Sequence, residues 1–441
     1  MYKKTDILFI PPISKPVFTE DYENFMPLGI LTLCANLIQH DLKGDVYIPK
    51  HRLFDNNSFD EAASEIIKMN IPLVGFSTYC HSFSASVILA QKIKLKNPSI
   101  TILFGGPHAT LLSKEILQEF KFVDFVLKGE ADLSIVAFLK YHNSKSKNIE
   151  HLKNISGLIF RFKGNIYDND YSIEDLDLNL LPIPKYDLIN ISNSANIDVG
   201  RGCPFSCTFC CTNGFFSKKY RVKSKEKLIK EIDFLYSNFN VQSFSFAHDM
   251  FTLNHNFINS FCDIIQLYQN DNEVKFKWSC SARIDCISDS LLENMANAGC
   301  VAIFFGVETG SQNMQKIINK KLKLNSVIKV LKKCIDVNIK PTAAFMGGFP
   351  KETRNDLNDT LRLMLECSVI GAKVQFSVLS IMPGSSLFDN NINYLEYDGN
   401  ASDFSGSILS NEEIELIQKY PRFFSSFYYL PVPNIQYFGK F

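Results

Sequence analysis

The chain has 441 residues, of which 46% are hydrophobic and 21% are charged, and its 46 basic residues balance 46 acidic ones. This length exceeds one ordinary hydrophobic core, so we expect two or more globular domains. A neutral chain lacks the broad field that draws proteins to nucleic acids or to anionic membranes. No apolar run reaches the ~18 residues of a membrane span. The first apolar run, Ile7–Ile10, ends at Pro11 and does not continue as a signal peptide. We therefore expect a cytoplasmic protein.

Residues 1–145 are predicted to form one domain of alternating strands and helices. The β-rich runs are Asp6–Ile10, Asp45–Ile48, Leu73–Thr78, Thr101–Phe104 and Asp124–Leu127. Parallel strands joined by helices need cover on both faces, which predicts an α/β, doubly wound parallel sheet of flavodoxin-like order. Ligands of such sheets bind beyond the carboxyl ends of the strands. The small and polar residues that follow these ends are Ser77, Thr78, Gly105, Gly106, Gly129 and Glu130.

A linker, a second domain and a tail are predicted after the first domain. Residues 146–194 indicate a linker with a small hairpin around Lys163-Gly164. Residues 195–390 alternate again, with β-rich runs at Ile197–Gly200, Ser243–Ala247, Lys275–Ser279, Ala302–Phe305, Thr342–Met346 and Val374–Leu379. These units predict a partial (β/α)6 barrel with its functional groups at the carboxyl ends of the strands. Residues 391–441 form a short, aromatic C-terminal extension, expected to pack against the barrel or, alternatively, to cap a substrate.

Four of the twelve cysteines crowd into residues 203–211, directly after the first strand of the second domain. Cys203, Cys207 and Cys210 have the spacing C-x3-C-x2-C. Three thiolates on one short loop can bind three irons of a cubane 4Fe–4S cluster and leave the fourth iron open. A structural zinc site would close with four ligands. Cys211 is a poor fourth ligand because adjacent thiols rarely reach separate corners of one site.

This loop, with the aromatic Phe209 before its last cysteine, resembles the signature of the radical SAM superfamily. The resemblance spans roughly residues 195–390. It implies a 4Fe–4S cluster whose open iron binds S-adenosylmethionine (SAM). Electron transfer from a donor such as flavodoxin or ferredoxin would then yield a 5′-deoxyadenosyl radical.

Further segments resemble family motifs in the expected order. Asp249, at the end of the second strand, would pair with the methionine ammonium group of SAM. Arg283 would bind its carboxylate through two parallel hydrogen bonds, or would instead form an ordinary salt bridge. Glu308 would meet the ribose or another polar group of SAM, or would be an ordinary carboxylate at the barrel end. Gly347 in the fifth-strand turn would allow close approach of the nucleoside, and Pro383 would lie near adenine or in a plain turn.

The first domain resembles the cobalamin-binding domain that is fused to many radical SAM enzymes. The matching pieces are Pro27-Leu28-Gly29, Val74–Ser77, Phe104–Ala109 and Lys128-Gly129-Glu130. The Asp-x-His-x-x-Gly motif, which supplies an axial histidine in other cobalamin proteins, is absent. The loop after the first strand reads Pro11-Pro12-Ile13-Ser14, and His108 is expected to be a structural histidine rather than a cobalt ligand.

These resemblances imply a cobalamin-dependent methyltransferase that acts on an unactivated carbon of a secondary metabolite or a peptide. One alternative is a radical cyclase or ring-rearranging enzyme of the anaerobic porphyrin cyclase type. Another is a cobalamin-binding sensor with a vestigial barrel, which the intact cysteines disfavour. No nucleic-acid or membrane partner is expected, and the basic run Lys218–Lys223 is interpreted as a solvated helix entry.

Overall fold

The computed structural model describes residues 4–12, 26–49, 55–172, 176–399 and 409–431. They divide into two compact units. The first holds the described residues up to Asn190, together with Met382–Gly384 and the described part of 404–428. The second holds 191–381, 385–399 and the residues from Tyr429 onward that are described. No helix of the described residues is long and apolar enough to cross a membrane.

The first unit is built on a seven-stranded sheet. Its strands are β1 (Ile7–Ile10), β2 (Gly44–Val46), β3 (Leu73–Ser77), β4 (Thr101–Gly105), β5 (Phe125–Leu127), β6 (Leu158–Phe162) and β7 (Asn165–Asp168). The order is β2-β1-β3-β4-β5-β6-β7, and the first five strands are parallel. The predicted flavodoxin-like order is therefore confirmed. All four residues of β1 are buried, as expected of a strand covered on both faces.

Helices cover both faces of this sheet. They are α1 (Leu28–Gln39), α2 (Asn56–Lys68), α3 (Phe83–Lys96), α4 (Gly106–Leu111), α5 (Ser113–Glu119), α6 (Ser134–Asn143) and α7 (Ile149–Lys153). The core between β1 and its neighbours contains Ile7, Leu73, Leu103 and Phe138, each no more than 3% exposed. Such close-packed apolar layers are what stabilise a doubly wound sheet.

The hairpin predicted inside a linker is part of the sheet. β6 and β7 extend it as antiparallel strands beside β5. The reason is apolar burial, since Leu158, Ile159 and Phe160 are fully buried. Arg161 then anchors the hairpin by donating to the carbonyls of Leu117, Phe120 and Val123 at 2.9–3.2 Å.

The second unit contains a six-stranded parallel sheet in the order β15-β14-β13-β12-β11-β8. Its strands are β8 (Ser194–Asp198), β11 (Ser243–Ala247), β12 (Lys277–Ala282), β13 (Cys300–Glu308), β14 (Lys340–Gly347) and β15 (Lys373–Val378). A small antiparallel ribbon joins β9 (Gly200–Arg201) to β10 (Arg221–Val222). In the described residues β8 and β15 are the two edges, so the sheet is a partial barrel, as predicted.

Helices line one face of this sheet and leave the other face open. They are α8 (Thr212–Phe216), α9 (Lys225–Phe239), α10 (His255–Asp271), α11 (Asp289–Asn297), α12 (Gln312–Ile317), α13 (Val327–Asp336), α14 (Arg354–Val369) and α15 (Ser386–Asn391). On β13, Ile303 and Phe305 are buried, whereas Phe304 between them is 41% exposed. Because side chains alternate along a strand, Phe304 marks the open, concave face.

We expected the C-terminal extension to pack against the barrel, but the C-terminal segment 409–428 belongs to the first unit, and only 391–399 and the described residues from Tyr429 onward belong to the second. Its helix α16 (Asn411–Lys419) is followed by Phe423 and Phe424, whose rings lie 6.2 and 5.5 Å from that of Phe83. Phe120 contributes a further contact to Phe423 at 5.1 Å. The first unit offers an aromatic surface that these rings complete, which is the physical reason for the difference.

Candidate functional site

The cysteine loop begins where the chain leaves β9. Gly202 has φ of +86°, and a Cβ there would lie 2.0 Å from the carbonyl oxygen of Lys219. Only glycine fits this left-handed, crowded position. Gly202 therefore lets the strand turn sharply into Cys203 at the carboxyl end of the sheet.

Cys203, Cys207 and Cys210 are free thiols of intermediate burial on this loop. The N–H of Cys210 donates to the carbonyl of Cys207 at 3.2 Å, which closes a tight turn between them. Burial, with smaller contributions from the nearby Cys210, Asp249 and Cys207, raises the pKa of the Cys203 thiol to about 11. The three thiols and the Asp249 carboxylate thus share one electrostatic environment.

The donor set fits an iron–sulfur cluster better than a single metal ion. Within the part of the chain that the structure describes, no three Cys, His, Asp or Glu side chains converge to hold one ion. A cubane cluster has no such requirement, since each thiolate binds its own iron. The chemistry of three adjacent thiols therefore fits the cluster, and these residues remain its predicted ligands.

Phe209 and Gly347 belong to neighbouring parts of the site. The ring of Phe209 packs against that of Phe349, with centroids 5.9 Å apart. Gly347 is the last residue of β14, and Phe349 lies in the turn that follows, after Gly348, whose φ is +86°. The N–H of Gly348 donates to Oε2 of Glu352 at 2.8 Å, and burial raises the pKa of this carboxyl group to about 7. Glu352 is a further candidate residue beside this turn, and no sequence motif assigned a role to it.

Arg283 is held by protein groups. Its Nε and Nη2 donate to the two carboxylate oxygens of Asp285 at 2.9 and 2.8 Å, and Nη2 also donates to the carbonyl of Lys320 at 2.9 Å. The guanidinium lies 4.0 Å above the ring of Phe205, within the cysteine loop. The structure therefore shows the salt bridge that was the alternative, in a position beside the cluster loop. A role in binding SAM stays a prediction.

Glu308 ends β13 with φ of +71°, an uncommon conformation for a residue with a side chain. Its Oε1 lies 2.8 Å from Nζ of Lys320. Both side chains are nearly buried, so their charges depend on each other. Lys320 is a second residue that sequence reasoning missed. No spacing pattern pointed to it, because the contact depends on the turn after α12, where φ of Asn319 and Lys321 is positive.

His248 and Asp249 directly follow β11, and their environments differ. Asp249 is an exposed residue whose charge acts on the Cys203 thiol, and partial burial of its carboxyl group raises the pKa of that group. His248 is 8% exposed and stacks obliquely on Tyr220, with ring centroids 5.1 Å apart. Burial lowers the pKa of His248 to about 4, so its imidazole is neutral at pH 7. Of the two residues, Asp249 is therefore the one that could pair with an ammonium group.

Pro383 has different neighbours from the other predicted SAM residues. Met382–Gly384 clusters with the first unit. Sδ of Met382 lies 4.0 Å from Sγ of Cys80, and a Cβ at Gly384 would lie 2.5 Å from Leu111. The segment is a packed turn in the structure, which was the alternative interpretation, and contact with adenine remains a prediction.

Four predicted cobalamin residues meet at the carboxyl edge of the first sheet. The hydroxyl of Thr78 donates to the carbonyl of Gly105 at 2.9 Å and accepts from the N–H of Ala109 at 3.0 Å. Gly106 has φ of +87° and lies against Thr78 and Ser77. A Cβ at Gly105 would meet nothing closer than a carbonyl oxygen at 3.5 Å. Thr78 is thus structurally engaged, while Gly105 and the half-buried Ser77 keep the small surface that a large ligand would need.

Gly129 and Glu130 face a tyrosine of the same unit. A Cβ at Gly129 would lie 2.0 Å from the ring of Tyr171, and φ of Gly129 is +69°. The N–H of Glu130 donates to the hydroxyl of Tyr171 at 2.7 Å. The need for glycine at position 129 is therefore explained by packing, and contact with a cofactor is a separate prediction.

His108 is 3% exposed, and its ring centroid lies 4.3 Å from that of Phe83. Burial lowers the pKa of His108 to about 3, and the backbone of Phe423 hydrogen-bonds to it. An imidazole enclosed in this way is poorly placed to reach a cobalt atom outside the sheet edge. Of the loop after β1, Pro11 and Pro12 are buried, whereas Ile13 and Ser14 lie outside the described residues.

Comparison with known proteins identifies both units. Residues 197–364 match the family model of the radical SAM superfamily, and residues 15–139 match that of the B12 binding domain. The chain therefore belongs to the radical SAM enzymes that carry a cobalamin-binding domain. The predicted cofactors, a 4Fe–4S cluster, SAM and cobalamin, are those of this family.

Two curated relatives are similar to the chain over longer stretches than either family model. The chain is 26% identical over 391 residues to an uncharacterized methyltransferase of Pyrococcus horikoshii, covering 87% of this chain and 82% of that protein. It is also 26% identical over 277 residues to an anaerobic magnesium-protoporphyrin IX monomethyl ester cyclase of Cereibacter sphaeroides, covering 60% of this chain but 44% of the cyclase.

One solved structure shows that the fold is shared. The radical S-adenosylmethionine methyltransferase TsrM from Kitasatospora setae, with cobalamin and a 4Fe–4S cluster bound, aligns with a TM-score of 0.71. Sequence identity is 12%, and the alignment covers 90% of this chain and 78% of TsrM. At this identity the likeness supports the architecture alone.

Proposed function

We propose that the protein is a cobalamin-dependent radical SAM methyltransferase that acts on an unactivated carbon of a small-molecule or peptide substrate. The observation that carries the proposal is a free three-thiol loop and a B12-binding sheet in one chain. The match to the uncharacterized methyltransferase of Pyrococcus horikoshii over most of both chains supports it.

The chain's own residues would hold and orient the cofactors. Cys203, Cys207 and Cys210 would bind three irons, and the Asp249 carboxylate would pair with the ammonium group of SAM. Glu308 would offer its second oxygen to the ribose. When bound, these groups together supply the one-electron chemistry that exchanges an unreactive C–H bond for C–CH3.

The reaction requires a low-potential electron donor, and we take this donor to be a flavodoxin or a ferredoxin. The half-exposed cysteine loop supports direct access for such a protein. A SAM-cleavage assay tests this part of the proposal separately. The chemical reductant dithionite is replaced by reduced flavodoxin or by reduced ferredoxin, and formation of 5′-deoxyadenosine is measured.

A radical cyclase is the second candidate, because the chain also matches an anaerobic magnesium-protoporphyrin IX monomethyl ester cyclase. The two functions differ in what happens to the methyl group of SAM. A methyltransferase forms S-adenosylhomocysteine in step with product, whereas a cyclase forms none.

The test uses full-length protein, reconstituted anaerobically with iron, sulfide and cobalamin, and SAM labelled with deuterium in its methyl group. Candidate metabolites and peptides are screened for the mass increase of a labelled methyl group, and S-adenosylhomocysteine and 5′-deoxyadenosine are quantified. Labelled product with matching S-adenosylhomocysteine supports the proposal. Product that forms with 5′-deoxyadenosine alone and no label would reject it in favour of the cyclase.

A further inference from the structure

The turn after α12 holds the cysteine loop at its middle. The N–H of Thr208 donates to the carbonyl of Ile318 at 3.0 Å. The side-chain amide of Asn319 donates to the carbonyl of Ser206 at 2.8 Å. These two hydrogen bonds lie on either side of Cys207 in the chain, so the position of its thiol follows the position of this turn.

Lys320, the next residue of the turn, carries a nearly buried charge. Its Nζ lies 2.8 Å from Oε1 of Glu308, and the two side chains are 7% and 11% exposed. The pair extends over Gly306, where a Cβ would lie 2.4 Å from that carboxylate oxygen and 2.9 Å from Nζ. Removing one partner of such a pair leaves the other charge uncompensated in a poorly solvated place.

The turn contacts both the cluster loop and Arg283. Asn319, the residue before Lys320, donates to the carbonyl of Ser206, next to Cys207, at 2.8 Å. The carbonyl of Lys320 accepts a hydrogen bond from Nη2 of Arg283 at 2.9 Å. This one turn therefore contacts the cluster loop, Arg283 and Glu308, for each of which the sequence predicts a separate role in the site.

We propose that Asn319 and Lys320 are positioning residues of the cluster site. Asn319 secures the Cys207 corner of the cluster through Ser206. Lys320 holds Glu308 in its left-handed conformation, and its positive charge favours addition of an electron to the cluster. Nearby positive charge stabilises an added negative charge, and local charge is one of the factors that set cluster potentials. The inference rests on the cluster assignment and does not depend on methyl transfer.

The charge effect is tested in full-length, reconstituted protein. The midpoint potential of the cluster is measured by redox titration monitored by electron paramagnetic resonance, with iron content determined in parallel. The midpoint potential of Lys320→Met should be more negative than that of the native protein. Lys320→Arg keeps the positive charge, so its midpoint should lie closer to the native value than that of Lys320→Met. Lys321→Met is the matched control, because Lys321 is adjacent and exposed, and it should leave the midpoint unchanged.

The positioning effect is tested by the rate of iron loss to a chelator. Asn319→Gly removes the amide but keeps the left-handed backbone, since φ is +56° there. It should lose iron about tenfold faster than the native protein. Mutation of groups that hydrogen-bond to metal ligands typically weakens metal binding by about this factor or more. Asn338→Gly makes the same change at another left-handed asparagine of the unit, with φ of +62°, and should not change the rate.

Two results would overturn the proposal: a native midpoint in a Lys320→Met protein with full iron, or equal rates of iron loss in Asn319→Gly and Asn338→Gly. If Lys320→Met assembles no cluster, the double variant Lys320→Met/Glu308→Gln distinguishes an electrostatic role of Lys320 from a packing role. Removing both charges should restore the cluster with a midpoint near the native one. A double variant that still lacks iron would show a packing role for Lys320 and reject the electrostatic one. None of these measurements uses methyl transfer, so failure of the proposed function would be seen separately.

Discussion

The hydroxyl of Ser84 donates a hydrogen bond of 3.0 Å to Oε1 of Glu413, although 329 residues separate them in the chain. Both residues are buried, and Glu413 also caps α16 through Ser410. A carboxylate buried in this way needs such partners. The contact therefore shows that the C-terminal segment completes the first unit.

Phe424→Ala should destabilise the protein by about 3–5 kcal/mol, because Phe424 is fully buried and its loss leaves a cavity beside Phe83. Chemical denaturation of the full chain measures the effect. The control is Leu95→Ala, since Leu95 is 74% exposed on α3 and should change stability little. Equal effects of the two substitutions would mean that the segment does not pack as described.

Replacing Cys203, Cys207 or Cys210 with Ala should each abolish the cluster and the formation of 5′-deoxyadenosine, since every thiolate binds a different iron. Cys211→Ala should retain both. Iron and sulfide analysis of reconstituted protein is the measurement. Loss of the cluster in Cys211→Ala, with retention in one of the other three variants, would show that the ligands are assigned incorrectly.

Bound cobalamin should have no protein histidine on cobalt. Among the described residues, His81 follows β3 and His108 follows β4. His108 is enclosed by Phe83 and the backbone of Phe423. Paramagnetic resonance of the Co(II) form should show the same spectrum in native protein, His108→Ala and His81→Ala. A nitrogen splitting that disappears in either variant would identify an axial histidine. Failure to retain cobalamin on gel filtration would contradict the cobalamin assignment of the predicted residues altogether.

Glu352→Gln should stabilise the protein above neutral pH. Burial raises the pKa of Glu352 to about 7, so the folded state binds this proton more tightly than the unfolded state. Native stability should therefore fall as the pH rises from the unfolded pKa through about 7, whereas the amide does not titrate. The difference should be about 1–3 kcal/mol at pH ~8 and should shrink towards pH ~5.

Denaturation curves of both proteins across this pH range provide the measurement. Glu413→Gln serves as a comparison, because Glu413 is also buried but accepts hydrogen bonds from Ser84 and Ser410. It should destabilise the protein, because one of the two serine hydroxyls loses its acceptor oxygen. A stability difference for Glu352→Gln that does not change with pH would contradict the assigned titration.

Much of the fold was predictable because it depends on residues close together in the chain. The strand Ser243–Ala247 was predicted residue for residue, since alternation of buried and exposed side chains is a local pattern. The helix after Ser224 begins where predicted, because the hydroxyl of Ser224 accepts from the N–H of Lys227. The cysteine spacing likewise predicts a cluster loop from eight consecutive residues, 203–210.

Contacts between distant parts of the chain were not predictable in this way. The hairpin at Leu158–Asp168 looked like part of a linker, and only pairing with β5 makes it a sheet edge. The aromatic composition of the tail predicts that its rings pack, but it does not say which surface they will meet, and Phe423 and Phe424 meet Phe83 of the first unit.

The sequence by itself determined where most strands and helices lie and the spacing of the three thiols, because these follow from local alternation and spacing, and the class of protein followed from the resemblance of its motifs to known families. The tertiary structure decided what surrounds those thiols. Lys320 reaches Glu308 only because the turn after α12 reverses at Asn319, and that turn also meets the cysteine loop at Ser206. These ion-pair and hydrogen-bond contacts depend on the folded backbone, and no sequence motif predicts them.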